Sequence, residues 1–172
     1  SSNNGSTAAC FVYGIYNQGG TTANIYNNFI SGLGANAATN NPAIIGIDIV
    51  GGTTSNVCYN TVFLNAISSG STFGSAALYA YVTPVLVLRN NILVNISTPG
   101  ASGYTVAYRR SGVSFTSYSS NSNNNCFYAG VPGPGNLIFY NGTVSDETLS
   151  AFQARVAPKD NLSFSENPPF SE

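Results

Sequence analysis

The sequence predicts an all-β chain wound as a right-handed parallel β-helix (a β-solenoid) of about four to five rungs, closed by a short C-terminal helix and an extended tail. Three observations predict it. A motif of about thirty residues recurs along the chain. Each copy consists of short β-rich runs separated by Gly, Ser, Thr and Asn, with no helical periodicity inside it. Charged residues are only 6% of the 172, against roughly a quarter in ordinary soluble domains, while 43% are apolar. Such a chain can bury a core, with a surface wetted by amides and hydroxyls instead of charge.

The first copy reads Gly14-Ile15-Tyr16, Gly19-Gly20-Thr21-Thr22-Ala23-Asn24 and Tyr26-Asn27-Asn28-Phe29-Ile30. The second reads Gly46-Ile47-Asp48, Gly51-Gly52-Thr53-Thr54-Ser55-Asn56 and Tyr59-Asn60-Thr61-Val62-Phe63-Leu64. A third runs from Ala77-Leu78-Tyr79 through Val85-Leu86-Val87-Leu88 to Arg89-Asn90-Asn91-Ile92-Leu93-Val94-Asn95. A fourth runs from Val106-Ala107-Tyr108 to Asn124-Asn125-Cys126-Phe127-Tyr128, and Leu137-Ile138-Phe139-Tyr140 opens a fifth. Anchored on Asn27, Asn60, Asn90 and Asn124, the steps are 33, 30 and 34 residues. Strands recurring at this period describe coils of a solenoid. The Leu-x-x-Leu-x-Leu spacing of leucine-rich repeats is absent, and propeller blades need about 40 residues or more.

The repeat implies columns. Asn27, Asn60, Asn90 and Asn124 are predicted to stack at a turn as an asparagine ladder, each amide bonding to the next. Ile15, Ile47, Tyr79, Tyr108 and Tyr140 are expected as one apolar column, and Phe29, Val62, Ile92 and Cys126 as another. The strand after the Asn turn is apolar on both faces, which normally means both faces are covered. Its outward column is expected to hold Ile30, Phe63, Leu93 and Phe127. Two covers compete: the chain's own insertions 67–75 and 97–104 or its tail, and a lateral interface with another copy.

From Ser145 the pattern turns helical. Ser145 can cap, Asp146 and Glu147 suit the first turn, Leu149, Phe152 and Val156 share a face, and Pro158 stops it. The division expected is residues 1–144 for the rungs and 145–172 for helix and tail, in one domain. Nothing at the N-terminus reads as a cap or a signal peptide. Four or five rungs make a column only about 20–25 Å tall. Adjoining repeats of a larger chain, or copies of the chain itself, are therefore expected as partners.

These rungs resemble the Asn-rich repeats of right-handed parallel β-helix proteins, the pectate-lyase-like superfamily. More narrowly, they are similar to repeat modules of large secreted surface proteins of Bacteroidetes-type bacteria. The tail, from Leu149-Ser150-Ala151-Phe152-Gln153 to Asn167-Pro168-Pro169-Phe170, looks like the closing segment of such modules. The resemblance implies a secreted, cell-surface location. It is weak on activity, because that superfamily includes lyases, hydrolases, adhesins and tailspikes.

The chemistry available is sparse. Net charge is −1 with five basic residues, so there is no electrostatic footprint for nucleic acid, and no apolar run is long enough to insert in a membrane. There is no His, and Cys10, Cys58 and Cys126 form no metal-binding pair, so no metal or cofactor is expected. Of the six acids, Asp48 alone sits within a rung, aligned with Tyr16, Ala80 and Arg109. Glycoside hydrolysis needs two carboxylates roughly 5–10 Å apart, and a lyase needs acid-bound Ca²⁺ with a basic residue. No catalytic set is identified, and Arg109–Arg110 reads as an exposed pair. The preferred functional reading is an extracellular scaffold, self-associating as a fibre or surface-layer subunit. The runner-up is a carbohydrate-binding adhesin module, in which Asn, Tyr and Thr meet glycans. A degenerate polysaccharide lyase or hydrolase comes third.

Overall fold

The computed structural model describes residues 10–170 together with the backbone of Ser2–Asn3. The remaining residues of the predicted first rung, 1 and 4–9, and the last two of the predicted tail lie outside the described residues. The chain is a parallel β-solenoid of about four turns with one short C-terminal helix. Strand β1 (Ser2–Asn3) pairs with β5 (Gly34–Ala35). Rung one holds β2 (Val12–Asn17), β3 (Thr22–Tyr26) and β4 (Phe29–Ile30). Rung two holds β6 (Ile44–Ile49), β7 (Thr54–Cys58) and β8 (Thr61–Leu64). Rung three holds β9 (Ser75–Ala80), β10 (Val85–Arg89) and β11 (Ile92–Asn95).

In rung four, β12 (Thr105–Arg110) and β13 (Cys126–Tyr128) flank a middle strand reduced to the bridges Leu86–Tyr118 and Arg89–Asn123. The chain then adds β14 (Asn136–Tyr140) and the antiparallel β15 (Ser145–Asp146). Equivalent strands stack in parallel. They form a six-stranded sheet (β2, β6, β9, β12, β14, β15), a three-stranded sheet (β3, β7, β10) and a four-stranded sheet (β4, β8, β11, β13).

Side chains from all three sheets meet in one axial core. Ile15, Ile47, Leu78, Tyr108 and Phe139 pair in register up the six-stranded sheet, so the side chains grow bulkier toward the C-terminal end. Tyr79 and Tyr140, expected in this column, lie one residue later and on the outside. The cause is a local break in alternation. Ala77 and Leu78, Ala107 and Tyr108, and Ile138 and Phe139 all belong to the core, so two consecutive residues face inward in each of these rungs. In rung two the first of the pair is Gly46. A Cβ there would lie 2.4 Å from the Val62 side chain and 2.5 Å from the Ala77 carbonyl oxygen.

The polar ladder is real, but its register differs from the predicted set. Asn28, Asn60, Asn91 and Asn125 form it, with Nδ2-to-Oδ1 bonds of 2.8, 3.1 and 3.0 Å. Asn27, Asn90 and Asn124, predicted as members, instead occupy the left-handed turn position just before it, with φ of 56°, 53° and 60°. Asn tolerates that conformation better than most residues. Tyr59 holds the equivalent position in rung two (φ 58°). That substitution makes Asn60, a true ladder member, look aligned with the turn residues of its neighbours.

The same slip displaces the third sheet. Ile30, Val62, Leu93 and Phe127 pair in register and are buried in the core, so Ile30, Leu93 and Phe127 are not an outward column. The outward positions are Phe29, Thr61, Ile92 and Cys126, and beside them Phe63, Val94 and Tyr128. The tail covers part of this face, while Phe29 stays 65% exposed. Phe164 bridges Cys126 and continues the sheet, its carbonyl accepting from the Phe127 N–H at 3.0 Å. The chain then crosses the outer face, and the Phe170 ring sits 4.5 Å from Phe63 and 6.4 Å from Phe29. The insertions 67–75 and 97–104 do not cover this face. They stack on each other, with the bridge Ile67–Thr98 and the bond Gly100 N–H to Phe73 carbonyl at 2.9 Å.

The C-terminal pole is closed. Helix α1 (Leu149–Val156) starts later than predicted, because Thr148 is its cap, accepting from the Ala151 N–H at 3.3 Å. Ser145 and Asp146 form a strand, and Asp146 pairs with Arg155 at 2.6 Å. Phe152 plugs the core, stacked on Phe139 and edge-on to Tyr108 and Phe127. Asp160 and Ser163 seat against Asn125 at 2.9 Å each. Arg110, expected as exposed, is 1% exposed and donates to the Tyr108 hydroxyl and Ser117 Oγ.

Candidate functional site

Because two neighbouring residues turn inward in each rung, the outward residues of the six-stranded sheet fall three apart and form two columns. One is Tyr13, Ile45, Ala76, Val106 and Leu137. The other is Tyr16, Asp48, Tyr79, Arg109 and Tyr140. Adjacent rungs are about 4.8 Å apart. The second column is thus a strip of phenol rings broken by one acid and one base.

Aromatic side chains widen this strip. Tyr13 contacts Tyr16 at 4.9 Å between ring centroids and stacks on Phe11 at 6.0 Å. Tyr79 contacts Tyr81 at 5.4 Å, and Tyr140 contacts Tyr104 at 4.8 Å. Between them lies an open cleft of about 400 Å³. Phe11, Tyr13, Tyr79 and Tyr81 supply its aromatic lining, and Asn41, Asp48 and Arg109 its polar groups.

Arg109 is held in place. Its guanidinium lies over the Tyr79 ring at 5.6 Å and the Tyr140 ring at 4.9 Å, and Nη1 donates to Asn41 Oδ1 at 3.1 Å. Burial pulls its pKa down from the ordinary value, and the neighbouring tyrosines oppose that pull. Planar stacking with directed N–H groups gives a pre-organised donor, a role lysine fills poorly.

Asp48 is the unusual member. It is 3% exposed, and its Oδ1 has no hydrogen-bond partner. Desolvation pushes its carboxyl up from 3.8 to about 6. Burial also raises the phenols of Tyr13 and Tyr79, with the Asp48 charge adding to both. An unpaired acceptor at the side of an aromatic cleft calls for a donor that the protein does not supply.

The chemistry this arrangement supports is recognition. Aromatic faces, a fixed guanidinium, an amide and a free carboxylate acceptor suit a ligand that is flat on one side and rich in donors on its rim. No second carboxylate of the described residues lines the cleft, and among them no group of three His, Cys, Asp or Glu could hold a metal. A second groove, about 360 Å³, lies on the three-stranded sheet between Tyr26 and Tyr59, above the Asn24–Asn56 amide pair. It carries no charged group.

Reasoning from the sequence singled out Asp48 as the acid within a rung and aligned it with Tyr16 and Arg109, but set Ala80 where Tyr79 stands. It missed Tyr13, Tyr79 and Tyr81 as a group. The spacing of three between outward residues was the missing signal. The ladder asparagines and the former interface candidates Ile30, Leu93 and Phe127 lie inside the coil, and Phe63 meets the tail; none lines the cleft. The cysteines are unpaired, with Cys126 buried and Cys10 and Cys58 half-buried. No helix of the described residues is long and apolar enough to cross a membrane. In comparisons with known proteins, no family model, no curated protein and no solved structure matches the chain.

Proposed function

We propose that this chain is an extracellular carbohydrate-binding module that holds a glycan along the outer face of its six-stranded sheet. One observation carries the reading: the column Tyr16–Asp48–Tyr79–Arg109–Tyr140 beside an aromatic cleft with an unsatisfied buried acceptor. Sugar rings stack their C–H faces on phenols, and their hydroxyls donate to carboxylate and accept from guanidinium. The likeness of the rungs to Asn-rich pectate-lyase-like repeats supports a bacterial cell surface as the setting. The test is a glycan array followed by calorimetric titration of the best ligand. Tyr79→Ala is expected to weaken binding about tenfold, with the fold unchanged by circular dichroism. No binding across a broad panel overturns the reading.

A scaffold role is the second reading, favoured by the ends of the sheets. Among the described residues, strands β2, β3 and β4 stand at sheet margins, each with a neighbour on one side in its sheet. An adjoining coil or a second copy can pair there. A head-to-tail filament needs both poles open, whereas α1 and residues 160–170 occupy the other pole. This reading therefore expects a solenoid terminus or a pole-to-pole dimer. Electron microscopy showing long unbranched filaments of this chain alone overturns that form of it.

A further inference from the structure

We propose that the Asp48 cleft receives the ammonium group of an amino sugar, so that the glycan held on this face carries free amines. The inference rests on the carbohydrate-binding reading and deepens it. Its ground is a buried carboxylate oxygen without a donor. The other buried acids are matched: Asp146 by Arg155, and Asp160 by Asn125, Ser163 and Tyr118. Asp48 is equally buried, yet its Oδ1 meets no donor. Arg109 does not fill the role. It stands two rungs away with Tyr79 between them, and it is engaged by Asn41 and by two rings.

Sugar hydroxyls could donate to that carboxylate, as neutral groups do to Asp160, but they bring no countercharge. An ammonium both donates and neutralises. The rings of Tyr13 and Tyr81 also offer π faces to a cation, while the Arg109 guanidinium, already over the Tyr79 ring, stands on the far wall of the cleft. A uronate would instead meet the negative charge of Asp48 directly.

The groups facing Asp48 are Tyr13 and Tyr16 of rung one, Tyr79 and Tyr81 of rung three and, beyond them, Arg109. Burial raises the Tyr13 and Tyr79 phenols and holds the Asp48 carboxyl near 6, just below neutrality. Amine binding is therefore expected to strengthen as pH rises toward and through about 6.

The experiment titrates the full chain calorimetrically with two matched oligomers of β-1,4-linked glucosamine, one with free amines and one fully N-acetylated, at about pH 6.5. The free-amine oligomer is expected to bind about tenfold more tightly. Asp48→Asn is expected to abolish the preference, so that the two oligomers bind the variant with equal affinity. A second measurement needs no variant: between about pH 4.5 and 6, where the amine stays protonated, affinity of the free-amine oligomer for the native protein should rise several-fold. Equal binding of the two oligomers, a preference that survives Asp48→Asn, or a flat pH profile overturns the amine assignment and leaves the glycan reading standing. Failure of both oligomers overturns the amine assignment as well, and failure of the whole glycan array takes the underlying reading with it.

Discussion

Asn60 and Asn91, thirty-one residues apart in sequence, are joined twice: the Asn91 Oδ1 accepts from the Asn60 side-chain amide at 3.1 Å and from its backbone N–H at 3.0 Å. Asn91 in turn donates to the Val57 carbonyl at 2.8 Å and to Asn125. It is buried, so removing its side chain strands several polar groups at once. Asn91→Ala is expected to cost about 2–4 kcal/mol in urea unfolding. Asn90→Gly, at the adjacent left-handed position, is expected to change stability by less than about 1 kcal/mol. Equal effects at the two positions would contradict the observed register.

Asp48 gives the molecule a distinctive pH dependence. Its carboxyl is raised from 3.8 to about 6, so the folded state binds a proton more tightly than the unfolded chain does. Between about pH 4 and 6 the native state holds the extra proton, and stability falls as pH rises through that window. By pH 7.5 the whole penalty applies, on the order of 3 kcal/mol. Asp48→Asn removes the charge. Its melting temperature is expected to exceed that of the native protein at pH 7.5 and to converge with it near pH 4.

Phe152 carries the helix onto the end of the core. Its ring is buried against Tyr108, Phe127 and Phe139 at centroid distances of 5.3–5.8 Å. Phe152→Ala is expected to cost about 3–5 kcal/mol. Loss of helix docking should appear as faster amide exchange in residues 149–156. A loss under about 1 kcal/mol would show that the pole is held by residues 160–164 instead.

The tail covers the four-stranded sheet through Phe170 and Phe63. Ending the chain after Ser165 removes that cover while keeping the Phe164 bridge. The expected outcome is exposure of Phe63 and its neighbours, with increased dye binding and concentration-dependent association in sedimentation. A truncated protein that stays monomeric and binds no dye would mean the face needs no cover.

The fold was legible because stacked coils repeat chemistry as well as shape. Apolar runs, glycine turns and Asn doublets recur at one spacing, and the solenoid follows. Register was harder to read. Three rungs carry an Asn-Asn doublet at the corner and the second carries Tyr59-Asn60, so aligning by identity shifts that rung by one residue. In a strand, a shift of one exchanges inside for outside, which is why Leu93 and Phe127 were expected at the surface and are buried. The cleft was hidden for a related reason. Strict alternation would put Tyr79 with Ile47, but the inward pairs such as Ala77–Leu78 reset the phase. Cover by the tail was among the expectations, but nothing local singled out Phe170 as the residue that meets Phe63.

The asparagine ladder has a direction. Asn28 donates to Asn60, Asn60 to Asn91, Asn91 to Asn125, and Asn125 to Asp160 Oδ1 at 2.9 Å. An amide can receive and pass on; a carboxylate oxygen that accepts has no N–H to hand on. Asp160 is thus a chemical full stop: a further coil grafted onto that pole would find no outgoing N–H to meet it.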